Sequence, residues 1–187
     1  KDNKVSIKSK TEVVFPKNVV TDMFYTYQDI AVKDREESQN YDCILKRGVT
    51  VLQLNCRQEP CPDYMKSFKY TITGNCGNVF NPTTGHCLQK TTLTRIYDIS
   101  GDQLTGKRFS FSIYFFLGAD NVSDITLTTQ STDTEDKVVK SLSFENVHMV
   151  KGKMTIYKGP FLSTHSSASF IIDSPTIPDS GFSTEFE

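Results

Sequence analysis

The stretch Arg108-Phe-Ser-Phe-Ser-Ile-Tyr-Phe-Phe-Leu117 carries the clearest structural signal in this chain. Large apolar side chains stand at every second position, with mostly polar or amphipathic side chains between them. The apolar positions are Phe109, Phe111, Ile113, Phe115 and Leu117. Successive side chains of a β-strand point to opposite faces, whereas a helix repeats about every 3.6 residues. The spacing therefore predicts a strand with one buried face.

The same alternation recurs in shorter stretches on both sides of this strand. Its apolar members are Phe68, Tyr70 and Ile72; Leu93, Tyr97 and Ile99; Ile125 and Leu127; Leu142 and Phe144; Met154 and Ile156; and Phe170 and Ile172. Turn residues bound these stretches at intervals of about 10 to 15 residues, a rhythm typical of β-sandwiches. The charged stretch Ala31-Val-Lys-Asp-Arg-Glu-Glu37 lacks an apolar stripe and is interpreted as a solvated connection. The sequence thus predicts an all-β chain folded as an antiparallel β-sandwich.

The segment from Cys43 to Cys56 is apolar on both faces. Leu45, Val49 and Val51 share one face of a strand, and Ile44, Leu52 and Leu54 share the other. Strands that are covered on both sides have this composition. We therefore expect a central strand here.

The regularity of the alternation changes near residue 40. Residues 1–40 are predicted to be a β-rich N-terminal segment, the remnant or the edge of a neighbouring domain. Residues 41–187 are predicted to form the β-sandwich domain. No signal peptide is visible at the polar start Lys1-Asp-Asn-Lys4, so a mature or trimmed form is expected.

Charge and hydropathy narrow the classes of partner. The chain has 21 Lys and Arg against 22 Asp and Glu, a formal net charge of −1. Such a balance creates no field that attracts phosphate backbones or anionic lipid, so nucleic acid is not expected as a partner. The longest apolar run is Ile113-Tyr-Phe-Phe-Leu117, far below the roughly 20 residues of a membrane-spanning helix. Protein or carbohydrate is the expected partner.

Five cysteines, Cys43, Cys56, Cys61, Cys76 and Cys87, lie in the first half of the chain. None forms a Cys-x-x-Cys pair, so the spacing of a zinc site or a thioredoxin-type redox motif is missing. Two disulfides are candidates: Cys76 with Cys87 around a turn-rich loop, and Cys56 with Cys61. The alternative is that all five are buried thiols.

The sequence contains no catalytic or phosphate-binding template. It lacks a Gly-x-Ser-x-Gly elbow, a His-Glu-x-x-His helix, a phosphate loop and a dinucleotide-binding turn. Its three histidines, His86, His148 and His165, are far apart, so only the fold could assemble a triad or a metal site. We predict that the chain is not an enzyme and that it holds no cofactor or metal.

Two short motifs allow more than one interpretation. The acidic Asp133-Thr-Glu-Asp136 offers oxygen ligands for calcium but lacks the EF-hand spacing, and the tip of a hairpin with solvated charges is favoured. Asn121-Val-Ser123 matches an N-glycosylation sequon, which matters only in a eukaryotic secretory pathway.

Two segments resemble the fimbrillin superfamily of Bacteroidales surface proteins, in its pilus-subunit and anchor-subunit branches. The first segment runs from Asp22-Met-Phe-Tyr25 through Leu45-Lys-Arg-Gly-Val-Thr-Val51. The second is Leu142-Ser-Phe-Glu-Asn-Val-His-Met-Val-Lys-Gly-Lys-Met-Thr-Ile-Tyr-Lys-Gly-Pro-Phe161. Gly48, Thr50 and His148 depart from the family pattern, as do the cysteine loops.

This resemblance implies a transthyretin-like, Greek-key β-sandwich that is exported and displayed at the cell outer membrane in a fimbria. It also implies a lipid anchor upstream and assembly with other fimbrial subunits by addition of a β-strand. Ala168-Ser-Phe-Ile-Ile-Asp173 is the candidate assembly strand, carried by Ala168, Phe170 and Ile172. The stretch from Val5 to Phe15 is a second candidate, and the favoured alternative is that both are ordinary terminal strands.

Three functions therefore compete. The first is a structural or adhesive subunit, or an anchor, of a bacterial surface fimbria. The second is a stand-alone surface module that binds a host protein or a glycan, for which tyrosines such as Tyr25, Tyr27 and Tyr114 are candidate sugar-stacking groups. The third, an enzyme, requires the fold to gather His86 or His165 beside carboxylates.

Overall fold

The fold is given by a computed structural model that describes residues 5–15, 19–31, 40–56, 60–99, 106–162 and 171–173. Within these ranges the regular structure is entirely β-strand, and no helix able to cross a membrane is found. The strands are β1 (Ser6–Ser9), β2 (Glu12–Val14), β3 (Phe24–Tyr25), β4 (Lys46–Arg47), β5 (Thr50–Asn55), β6 (Met65–Gly74), β7 (Cys76–Gly77), β8 (Val79–Asn81), β9 (His86–Cys87), β10 (Leu93–Asp98), β11 (Ser110–Leu117), β12 (Val122–Asp133), β13 (Val138–Val150), β14 (Met154–Lys158) and β15 (Ile171–Asp173).

Two large sheets form the body of the fold. One has the order β10-β6-β12-β13 and the other has the order β15-β14-β5-β11-β7. Two smaller sheets, β1-β2-β8-β9 and β3-β4, complete the arrangement. Among the paired strands only β14 and β5 run parallel, and all the other pairs are antiparallel. The predicted all-β class is confirmed.

Side chains from both large sheets share one hydrophobic core, called the main core below. It includes Phe68, Tyr70, Ile72, Ile125, Leu127, Val147 and Met149 from the first sheet, and Leu52, Leu54, Phe111, Ile113, Phe115, Leu117 and Tyr157 from the second. The rings of Phe68 and Phe111 stack across it with centroids 4.6 Å apart and an interplanar angle of 4°. Offset stacking of this kind adds to the free energy gained from burial. Two sheets around a common core are consistent with a β-sandwich.

Strand β11 buries the predicted face and part of the other face as well. Phe111, Ile113 and Phe115 lie in the main core as expected. Phe116 points the opposite way and is also fully buried. It belongs to a second cluster made of Val13, Phe15, Val20, Val49, Phe80 and Phe116.

Strand β5 is central, as predicted, because it lies between β14 and β11. The predicted strand is nevertheless too long at its start. Ile44 and Leu45 are 76% and 61% exposed. Strand β4 ends before Gly48, whose N–H donates to the Met23 carbonyl at 3.0 Å. A Cβ at this glycine would lie 2.6 Å from Cε at the flexible end of Met23, so a larger residue here would require that side chain to move.

The buried face of β14 differs from the apolar alternation in its sequence. Thr155 and Tyr157 are buried, whereas Met154 and Ile156 are only half-buried. Burial of the threonine is possible because its Oγ1 donates to the His148 carbonyl at 3.0 Å. The Tyr157 ring packs edge-on against Phe144, with centroids 5.1 Å apart. Hydrophobicity alone therefore misidentified the inner face.

The N-terminal segment packs on the rest of the chain. Val13, Phe15 and Val20 form the second cluster together with side chains from residues 41–187. The boundary at residue 40 stays a prediction. Most of the charged stretch at 31–37 lies outside the described residues.

Candidate functional site

A groove of about 230 Å³ lies where β10 faces β11. Its walls include Leu93, Thr94 and Arg95 from β10, and Ser112, Ile113 and Tyr114 from β11. In the described part of the chain, β10 is bonded to β6 only and forms the outer strand of its sheet. Two strand edges therefore border one groove.

Strand β11 is itself only partly paired on the groove side. On one side it pairs with β5 from Ser110 to Phe115. On the other side β7 pairs with Phe116 and Leu117, and Val20 forms a single bridge with Tyr114. Within the described ranges, residues 110–113 therefore have no strand partner on this side. Unpaired main-chain groups of this kind can accept an additional strand.

The wall of the groove combines the aromatic side chains of Tyr70 and Tyr114 with polar groups and the charged Arg95. Burial, followed by the neighbouring Tyr97, raises the pKa of Tyr70 well above its usual value. Burial and then the Asp22 carboxylate raise the pKa of Tyr114. The guanidinium carbon of Arg95 lies 4.6 Å from the centroid of the Tyr97 ring. Such a wall can pack against apolar side chains of an inserted segment while the strand edges supply hydrogen bonds.

Strand β15 is the outermost strand of the five-stranded sheet, and among the described residues its outer edge has no strand partner. It pairs with β14 so that Tyr157 faces Ile172 and Lys158 faces Ile171. Lys158 Nζ also donates to a carboxylate oxygen of Asp173. Ile172 is 59% exposed although it belongs to a strand. Of the predicted assembly residues only Ile172 is described, since Ala168 and Phe170 lie outside the described residues.

The alternative assembly segment near the N-terminus is divided in its packing. Strand β1 is an outer strand in which every residue is exposed, including Ile7. Strand β2 lies between β1 and β8, and Val13 within it is buried in the second cluster. Within this N-terminal segment, only β1 therefore has an edge without a strand partner among the described residues.

Cys76 and Cys87 lie on neighbouring short strands. Cys76 is fully buried in the main core, and Cys87 packs on the edge of the second cluster. Burial, with a further contribution from Cys87, raises the pKa of Cys76 to about 12. Burial also raises the pKa of Cys87. All five cysteines are described, and each carries a free thiol. The predicted pairing of Cys76 with Cys87 stays a prediction.

Cys56 and Cys61 both donate main-chain hydrogen bonds to the segment at 107–109. The Cys56 N–H donates to the Phe109 carbonyl at 3.1 Å, and the Cys61 N–H donates to the Lys107 carbonyl at 2.9 Å. Both side chains are buried in the main core. The two cysteines are thus neighbours, and their pairing also stays a prediction.

The acidic motif forms a hairpin tip, as favoured. The connection between β12 and β13 is closed by Asp133, whose Oδ1 accepts hydrogen bonds from the N–H groups of Glu135 and Lys137, both at 2.9 Å. Lys66 Nζ pairs with the Asp136 carboxylate at 2.7 Å. The carboxylates therefore serve the turn and its surface ion pairs.

The histidines are dispersed among the described residues. His148 Nδ1 lies 3.1 Å from Asp124 Oδ1 as an exposed cross-strand pair. His86 is half-buried in β9, and burial followed by the Lys151 charge lowers its pKa. His165 lies outside the described residues. No group of metal-ligating side chains is found in the described part of the chain.

The two halves of the first family-like segment meet in space. Phe24 pairs with Arg47 and Tyr25 pairs with Lys46 in the β3-β4 sheet. Arg47 Nε and Nη2 donate to the two carboxylate oxygens of Asp22, each at 3.1 Å. The Arg47 guanidinium also lies 4.7 Å from the centroid of the Phe24 ring. A bidentate ion pair between Arg47 and Asp22 thus holds β4 against the start of β3.

Sequence reasoning did not identify the groove. Its residues come from β10, β11 and the segments around Val20 and Asn78, which are far apart in the chain. Comparison of the chain with known protein families, curated proteins and solved structures finds no match.

Proposed function

We propose that this chain is a structural or adhesive subunit, or an anchor, of a bacterial cell-surface fimbria that assembles by β-strand addition. The observation that carries the proposal is the groove bordered by the open edges of β10 and β11. An inserted strand would gain main-chain hydrogen bonds from these edges and pockets for alternate side chains from the groove walls.

The exposed isoleucines of β15 supply the complementary feature. Natural edge strands usually carry charge, proline or a bulge that prevents pairing with other chains. Strand β15 instead exposes Ile171 and Ile172 at an outer edge. The charge of Asp173 is compensated by Lys158, so it does little to prevent the edge from pairing with another chain. This arrangement supports the segment at 168–173 as the donated strand.

We infer a transthyretin-like, Greek-key sandwich of the fimbrillin superfamily, exported and placed at the outer membrane through a lipid anchor upstream. The ion pair of Asp22 with Arg47 supports this assignment, because it joins the two halves of the family-like segment.

The test compares matched substitutions of exposed isoleucines. The double variant Ile171→Asp/Ile172→Asp is compared with Ile44→Asp, which changes an isoleucine that is also exposed but lies away from the open edges. Outer-membrane fractions of bacteria producing each form are examined by electron microscopy and by ladders on denaturing gels. We expect the double variant to lose its polymer, while Ile44→Asp retains it.

Melting temperatures of the purified variants separate loss of assembly from loss of folding. Polymer from the double variant at the level of the unaltered chain would contradict the proposal. So would outer-membrane preparations in which the unaltered chain occurs only as a monomer.

A further inference from the structure

A basic cleft lies beside the second cluster, against which its lining residue Tyr25 packs. Its volume is about 460 Å³, and its walls carry Tyr25, Lys46, Thr84, His86, Asn121 and Lys151, with Arg47 at the edge. These residues come from β3, β4, the β8–β9 hairpin and the connections that follow β11 and β13. A fold that brings so many separate elements to one place creates a site that no local sequence pattern reveals.

The cleft has an excess of positive charge. The Arg47 guanidinium is matched by Asp22. Among the described residues, neither Lys46 nor Lys151 forms an ion pair with a carboxylate. The charge of Lys151 reaches His86, whose pKa it helps to lower, so the imidazole is neutral near pH 7. Two ammonium groups thus share a cleft without a balancing anion, although Asp120 lies close enough to His86 to act on it.

Lys151 is held in place before any ligand arrives. Its Nζ donates to Tyr25 Oη at 3.3 Å and lies 5.5 Å from the centroid of the Tyr25 ring. Tyr25 is itself fixed by an edge-on contact with Phe80, with centroids 4.8 Å apart. The Lys151 N–H donates to the Asn121 carbonyl at 2.8 Å, which ties two walls of the cleft together. Such preorganisation reduces the entropy lost on binding.

Gly85 shows how closely the backbone approaches this lysine. It has a φ of 74°, and a Cβ at this position would lie 2.7 Å from Lys151 Nζ and still closer to Tyr25 Oη. A side chain here would displace both groups and would also strain the backbone. The glycine therefore allows the β8–β9 turn, with Thr84 beside it, to form one wall of the cleft.

We propose that this cleft binds an acidic sugar through its oxyanion. Lys46 and Lys151 contact the carboxylate or sulfate group, since an ammonium is a strong point-charge partner for oxyanions. Thr84 and Asn121 also line the cleft and supply the polar groups that would bond to sugar hydroxyls. The cleft is open to solvent, and its volume of about 460 Å³ is larger than one inorganic anion requires.

The test measures binding to the purified full chain by titration calorimetry. The ligands are a disaccharide containing glucuronic acid, a sulfated disaccharide, the matched neutral disaccharide, sodium phosphate and a short acidic peptide. We expect at least one acidic disaccharide to bind and the neutral disaccharide to bind at least tenfold more weakly. The sulfated and the carboxylated arms identify which oxyanion is preferred.

Matched charge removals locate the site. Lys46→Gln and Lys151→Gln are each expected to weaken binding about tenfold, because each removes one charged hydrogen bond. Lys153→Gln removes a lysine from the same turn but outside the cleft, and it should leave the affinity unchanged. Tyr25→Phe should weaken binding by a smaller factor, because it removes only the hydroxyl that holds Lys151.

Each contrary result overturns the proposal. These results are no binding by either acidic disaccharide, equal binding of the neutral one, or equal loss of affinity in Lys153→Gln. Phosphate or the acidic peptide binding as tightly as the acidic sugars would also reject a sugar site. The inference does not rest on the fimbrial proposal, because a chain that never polymerises could still bind the sugar.

Discussion

The main core and the second cluster are both rich in phenylalanine, but they differ in what covers them. The main core lies between two large sheets and receives side chains from long strands such as β6, β11 and β12. The second cluster is closed by the short strands β2 and β8 and by the connections around Val20 and Val49. Strand β11 serves both clusters, since Phe115 enters the first and Phe116 enters the second. We infer that the main core carries most of the stability, while the second cluster positions the basic cleft.

Removing a ring from the main core is expected to have the largest effect. Phe68 is fully buried, stacks on Phe111 and packs edge-on against Phe161, with a centroid distance of 6.4 Å for the latter. Phe68→Ala leaves a cavity between two sheets that cannot collapse easily. It should lower the free energy of unfolding by about 3 to 5 kcal/mol, measured by chemical denaturation. A loss below about 1 kcal/mol would show that the two sheets do not depend on this contact.

The corresponding change in the second cluster should cost less. Phe15 packs on Phe116 with ring centroids 5.6 Å apart, under the short strands. We expect Phe15→Ala to cost about 2 to 3 kcal/mol, at or below the low end for such truncations, because the thin cover can relax into the space. Hydrogen exchange should quicken in β2 and β8 and stay slow in β6 and β12. Equal acceleration in all four strands would mean that the two clusters unfold as one unit.

The ion pair at the edge of the second cluster is the next test. The Arg47 and Asp22 side chains are only 10% and 24% exposed, so this pair is better shielded from water than the other ion pairs of the described chain. Asp22→Asn should cost about 2 kcal/mol, because charged hydrogen bonds in such a place are worth more than those on the surface. A double-mutant cycle with Arg47→Gln isolates the coupling. Coupling near zero would assign the cost to altered packing instead.

The smallest expected effect is a dependence on alkaline pH. Under reducing conditions Cys76 has an ordinary thiol pKa near 9.0 when unfolded and about 12 when folded. A group whose pKa is raised by folding contributes stability that is complete below the unfolded pKa and is lost as pH rises toward the folded one. We expect the free energy of unfolding to fall by about 1 kcal/mol between pH 8 and pH 10 through this thiol.

Cys76→Ala provides the control for this prediction. The slope of stability against pH should become shallower, although Tyr70, Tyr97 and Cys87 contribute in the same direction because burial raises the pKa of each. An unchanged slope would mean that Cys76 does not titrate in this range.

The sequence predicts the fold best where a strand has one solvent-exposed face and one buried face. Phe111 and Ile113 follow that rule, and so do Ile125 and Leu127 in β12. Phe116 does not, because its burial depends on the arrival of Phe15 from a distant part of the chain. Local periodicity carries no information about such partners.

The same reasoning explains the error in β14 and the missed cleft. Thr155 can be buried because its hydroxyl donates a hydrogen bond to the His148 carbonyl. This pairing is set by the β13–β14 turn rather than by hydrophobicity. Lys46 lies in the short strand β4 and Lys151 lies in the β13–β14 turn, and each alone is indistinguishable from an ordinary surface lysine. Their convergence depends on how β4 and the β13–β14 turn are placed, which is a tertiary property.

The parallel pairing of β5 with β14 has a consequence for how the chain reaches its fold. Thr50 and Val150, which meet through a hydrogen bond at 3.3 Å beside this pair, are 100 positions apart in sequence. During synthesis β5 therefore cannot pair with β14 until most of the described chain has been made. Such long-range contacts slow folding, and the apolar Leu52 and Leu54 stay without their final cover in the meantime. A chain cut short before β14 should thus be prone to aggregation even though nearly all of its strands are present.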